Sequence, residues 1–127
     1  HKGSEIIKEM CRLIERDSFP VKVILVGTGQ ELQPTEVLSI TGSYVREQLP
    51  DIIEAEKIDL IFIPSVWPET FSYTAQEAIE MGMPVAVFNL GAPAERVKNY
   101  SKGLIVEKMD AGYALQRILR FTHEMRM

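Results

Sequence analysis

Short apolar runs alternating with amphipathic helical segments predict an α/β fold: a Rossmann-like parallel sheet with helices on both faces. Three observations carry this reading. The runs at 21–26, 59–63 and 85–88 are near-continuously apolar, as strands covered on two sides require. Each run gives way to Gly, Pro, Ser or Asn within two residues. The segments between them place their apolar residues at helical spacing.

In chain order, residues 5–16 set Ile6, Ile7, Met10, Leu13 and Ile14 on one helical face with charges between them, and Ser4 is the expected N-cap. Phe19-Pro20 breaks that helix. Strand 21–26 ends in Gly27-Thr28-Gly29, and a weaker strand, 37–41, ends in Gly42-Ser43. Residues 44–57 read as helical, with Pro50 either kinking the helix or starting a new turn. Strand 59–63 is closed by Pro64-Ser65. Helix 71–81 puts Phe71, Ala75, Ala78 and Ile79 on one face and is stopped by Gly82 and Pro84. Strand 85–88, a short helix 94–98, strand 104–106 and a closing helix 111–123 complete the order.

At 127 residues the chain is expected to form one domain with its own core. A net charge of −4 argues against a nucleic-acid surface, which needs clustered Lys and Arg. The single Cys11 permits no disulfide framework and favours a reducing compartment. No segment reaches the ~18–20 apolar residues of a membrane span, and none has the pattern of a signal peptide. The opening His1-Lys2-Gly3, without Met and close to a helix, reads as the start of a fragment or trimmed domain.

In a parallel sheet, ligands bind beyond the carboxyl ends of the strands. Those ends are Gly27-Thr28-Gly29, Gly42-Ser43-Tyr44, Pro64-Ser65 with Glu69, and residues 89–95. "VGTGQEL" is not a dinucleotide fingerprint, because Leu32 stands where the third glycine belongs and Thr41-Gly42 replaces the acidic ribose ligand. No Walker-type Gly-Lys-Ser/Thr occurs. His1 and His123 lack ligand-spaced companions and there is no Asp-x-Asp, so no metal is expected. Glu69 and Glu77, seven residues between them, admit two readings. Glu69 favours a helix N-terminus by roughly 0.3–1 kcal/mol while Glu77 lies on a solvated face. Alternatively, free amides near Phe71 and Ser72 face a phosphate, and the glutamates hold hydroxyls beside it.

The string "PSVWPETFSYTAQEAIEMGMPVAVFNLGAPAE" resembles the signature of the retaining GT-B glycosyltransferases of family 4, the glycosyl transferases group 1. Pro64, Ser65, Glu69, Phe71, Glu77, Ala78, Gly82, Pro84, Val85, Gly91 and Glu95 stand at its landmarks. "VKVILVGTGQE" is similar to the family's strand followed by Gly-x-Gly, which sets Gly27 and Gly29 among the donor-binding residues. "SITGSY" is similar to its strand-Gly step, and Lys2-Gly3 to its Lys-Gly. The likeness spans essentially the whole chain and implies the C-terminal half of a GT-B fold.

The resemblance implies a role for each matched position. Glu69 lies against the donor sugar, Glu77 grips the ribose hydroxyls, and the Phe71 and Ser72 amides cradle the diphosphate. Lys2 offsets charge on the leaving group. Tyr44 either stacks on the base or is an ordinary amphipathic tyrosine, Trp67 anchors a loop or lines the acceptor cleft, and Glu95 caps backbone amides or touches ligand. Two departures stand out: Ser72 replaces the family's glycine, and the family's paired Arg would precede His1.

The implied function is transfer of a sugar from a nucleoside-diphosphate sugar to a glycan or lipid-linked acceptor. Transfer would proceed with retention, without metal or other cofactor, in polysaccharide biosynthesis. Residues 1–127 are then the donor-binding domain, without the first strand and the N-terminal acceptor domain, and inactive when isolated. The expected location is cytoplasmic, or peripheral at the inner membrane face for the full-length form. The alternatives are a sugar-nucleotide epimerase and a non-enzymatic flavodoxin-like nucleotide-binding module.

Overall fold

The structure is a computed structural model that describes residues 2–25, 32–42, 44–64 and 73–125. They fall into two compact units, His1–Lys57 and Ile58–Met127.

In the first unit, α1 (Lys2–Asp17) precedes the parallel pair β1 (Val23–Leu25) and β2 (Leu38–Ile40), with Val23 opposite Leu38 and Leu25 opposite Ile40. The helix sets Ile7 and the buried Cys11 against Leu32, Leu38, Val23, Leu25 and Ile40. Burial pushes the Cys11 thiol above its ordinary pKa, with the Glu15 charge adding to it. Ser4 is not the N-cap: α1 begins at Lys2 and takes Gly3 and Ser4 into its first turn. Burial of Ile7, Met10, Cys11 and Ile14 outweighs the few tenths of a kcal/mol by which Ser prefers a cap.

The C-terminus of α1 is a Schellman motif. Ser18 takes the left-handed φ of 54°, Phe19 N donates to Ile14 O at 3.1 Å and Ser18 N to Glu15 O at 3.4 Å. Entry to β2 is set by Thr35, whose hydroxyl oxygen accepts from the amides of Val37 (3.2 Å) and Leu38 (3.1 Å). The helix expected over 44–57 instead opens with a 3-10 turn, Arg46–Gln48, followed by α2 (Leu49–Ala55). Pro50 lies in the first turn of α2, where its missing N–H leaves no bond unmade; it starts the helix and does not kink it.

In the second unit β3 (Ile61–Ile63), β4 (Val85–Phe88) and β5 (Gly103–Val106) form a parallel sheet in that order, Ile61 opposite Val85 and Val85 opposite Gly103. The strands expected to share one sheet are therefore recorded as two, joined pair by pair in parallel. Three helices follow the strands: α3 (Tyr73–Glu80), α4 (Gly91–Val97) and α5 (Ala111–Met125). Ala78 of α3 and Val97 of α4 pack with Val85, Val87, Ile61, Ile63 and Ile105 on one face of the sheet. On the other face the rings of Phe62 and Phe88 meet edge to face, 5.6 Å apart. α5 contacts β5, and its first turn is capped by Asp110, whose Oδ2 accepts from Tyr113 N at 2.9 Å. All four residues of β4 are buried, each large side chain contributing roughly 1.5–3 kcal/mol.

The stop after α3 is as expected. Gly82 adopts φ 71°, Gly82 N donates to Ile79 O and Met83 N to Ala78 O, both at 3.0 Å. α4 begins at Gly91, ahead of the expected Ala94, because Pro93 lies in its first turn, where no amide donor is missed.

Candidate functional site

Parallel pairing puts the carboxyl ends of β3, β4 and β5, at Ile63, Phe88 and Val106, along one edge of the three-stranded sheet. Helices that return the chain to a parallel strand start at that edge, so the amino ends of α3 and α4 lie there. Glu77 is half-buried on α3, and its backbone carbonyl accepts from Met81 N at 3.0 Å. On the same edge Asn89 Nδ2, just past β4, donates to Glu107 Oε2, just past β5, at 3.0 Å. Behind it, Arg96 Nη1 of α4 donates to Gln76 Oε1 at 2.7 Å, and Gln76 Nε2 donates to Glu80 at 3.0 Å. The Arg96–Gln76 bond joins α4 to α3 one residue before Glu77.

The first unit carries a cleft of about 430 Å³, opening at the carboxyl end of β2 and running along α2. Thr41, Tyr44, Gln48, Asp51, Ile52 and Glu56 are among its walls. Thr41 N donates to Leu25 O at 2.9 Å, which holds the rim to β1. Gln48 Oε1 accepts from Val45 N at 3.1 Å, the backward reach of a capping box. Gln48 and Asp51 are three residues apart, and so neighbours on one helical face.

Tyr44 thus lines a cleft at a strand end, where the sequence put it. Lys2 lies in the first turn of α1, in the first unit; Glu77 lies on α3, in the second. Gly27, Gly29, Trp67, Glu69, Phe71 and Ser72 lie outside the described residues. Glu95 is an exposed residue of α4. Gln48, Asp51, Glu56 and Glu107 were not singled out from sequence. No sequence signal marks Gln48, since Val45 is not a capping residue, and Glu107 follows a strand end as Asn89 does.

Among the described residues, no three of His, Cys, Asp and Glu gather as metal ligands would. No helix among them is long and apolar enough to cross a membrane.

A comparison with curated proteins found no match. The family model described as glycosyl transferases group 1 matches residues 1–124. That match runs across both units and takes in every element from α1 to α5. The chain belongs to the glycosyl transferases group 1.

Proposed function

We propose that this glycosyltransferase chain binds the nucleoside-diphosphate sugar donor, which gives up its sugar to a glycan or lipid-linked acceptor with retention. The observation that carries the reading is the place of Glu77. It is half-buried on the helix that leaves the carboxyl edge of the sheet, next to Gln76, which α4 engages through Arg96. A carboxylate so placed accepts from the two ribose hydroxyls as the diphosphate meets amides at the start of the same helix. Glu69 takes the donor sugar, the amides of Phe71 and Ser72 take the phosphates, and Gly27 and Gly29 let the backbone approach closely.

Lys2 fits the leaving group for a physical reason. A cation beside the departing diphosphate stabilises the charge that develops there as the sugar leaves, with no metal required. Polysaccharide assembly on the cytoplasmic side is the setting this chemistry suits.

The test is a thermal-shift panel of GDP, UDP, ADP and dTDP, each with and without a sugar, on the full chain. Stabilisation by one nucleotide, abolished by Glu77→Ala at unchanged apo Tm, is the expected result. Equal stabilisation of wild type and Glu77→Ala would remove Glu77 from the site, and no stabilisation by any nucleotide would overturn the reading.

A further inference from the structure

Glu77 stands on a helix that apolar packing holds loosely in one respect. Among the described side chains of α3, the fully buried ones are Ala75 and Ala78, each a single methyl group, with the partly buried Ile79 beside them. Methyl groups let a helix lie close to the strands but interlock little, so they set its height more firmly than its rotation or its slide. The neighbouring helix α4 is better anchored. Pro93, Ala94 and Val97 are buried, and Val97 packs with Val85 and Val87 of β4.

We infer that Arg96 is a positioning residue for Glu77, acting from α4 through Gln76; this rests on the reading above, in which Glu77 holds the ribose hydroxyls. Arg96 Nη1 donates to Gln76 Oε1 at 2.7 Å in a half-buried setting, and Arg96 Nε is itself out of reach of solvent. The guanidinium is therefore set into the α3–α4 contact. A hydrogen bond from a charged donor, partly screened from water, is both strong and directional. Gln76 Nε2 in turn donates to Glu80 Oε2 at 3.0 Å, one turn further along α3, so both ends of the Gln76 amide are engaged.

Gln76 and Glu77 are consecutive residues of one helix, so they move together. A displacement of α3 by about 1 Å is enough to break the Arg96–Gln76 bond, and it carries Glu77 by a similar amount. A carboxylate that must meet ribose hydroxyls tolerates no larger error. The polar link supplies the directional restraint that two alanines do not.

Isothermal titration of the full chain with UDP, GDP and ADP, each against its 2′-deoxy form, tests this. For the nucleotide that binds, the wild type is expected to favour the ribose form by about tenfold or more, the scale of a hydrogen bond to a charged group. Glu77→Ala should bring that ratio close to one. Gln76→Leu and Arg96→Met should each lower it in the same direction, and the double variant should go no further than the larger single effect. Gln76→Glu keeps an acceptor for Arg96 and should keep the ratio. Should Arg96→Met not fold, Gln76→Leu, at a half-buried position, decides alone. A bond that serves only stability would lower Tm and weaken both forms alike, leaving the ratio at its wild-type value; that result overturns the inference while Glu77 stays in the site. If Glu77→Ala keeps the wild-type ratio, or if no nucleotide binds, the role of Glu77 falls and that of Arg96 falls with it.

Discussion

The hydroxyl of Tyr100 donates to the backbone carbonyl of Met83 at 2.8 Å, joining the turn before β5 to the turn that ends α3. Lys102 Nζ reaches the neighbouring Gly82 carbonyl at 3.1 Å. Two side chains from one turn thereby satisfy two carbonyls in the α3–β4 connection, at the amino edge of the sheet.

Tyr100→Phe should lower unfolding stability by about 1 kcal/mol, the net worth of one such bond, as read by urea denaturation. The same residue sets a pH dependence. Burial raises the Tyr100 hydroxyl above its ordinary value of 10.0. Below pH 10.0 the folded and unfolded chains both hold the proton, and the contribution is fully present. Above that value the unfolded chain releases it first, so stability falls as pH rises through the folded pKa. Tyr100→Phe should flatten the part of the alkaline slope that Tyr100 causes.

Gly103→Ala should destabilise by about 1–3 kcal/mol. A Cβ there would stand 2.5 Å from Val97 Cγ1 and 2.8 Å from Val97 O. The side chain can rotate away but the carbonyl cannot, so β5 or the end of α4 must shift. Thermal unfolding of the single variant and of Gly103→Ala with Val97→Ala checks this: shortening Val97 should recover only part of the loss.

Ser18→Gly should stabilise. Ser18 holds φ 54° at the end of α1, a conformation that strains a residue with a Cβ and leaves glycine unstrained. A gain of about 0.5–1 kcal/mol in urea is expected, net of the added freedom of the unfolded chain. A loss would show that the Ser18 side chain contributes more than its backbone conformation takes away.

How much of this was legible varies element by element. β4 has the bounds its apolar run announced, and Gly82 ends α3 because only a residue at ease with positive φ closes that motif. The start of α1 was misplaced because capping preference is weaker than burial of a helical face. The Gly91 start of α4 was missed because a Pro in a first turn reads as a breaker until the helix is seen around it. Of the candidate site, Tyr44 and Glu77 could be picked out by motif and strand end, whereas Gln48 and Asp51 are ordinary helix-surface residues until they line one cleft.

Local signals in the chain, each carried by a few neighbouring residues, determined the α/β class, the alternation of elements, the family and the Glu-seven-Glu spacing. Backbone conformation and apolar periodicity act at short range, so adjacent residues suffice to encode them. Only the tertiary structure decided which strands pair, which amide Gln48 folds back to meet, and that Asn89 finds Glu107 across two strand ends. Those depend on groups brought together by packing, and no run of sequence states in advance which distant groups will meet.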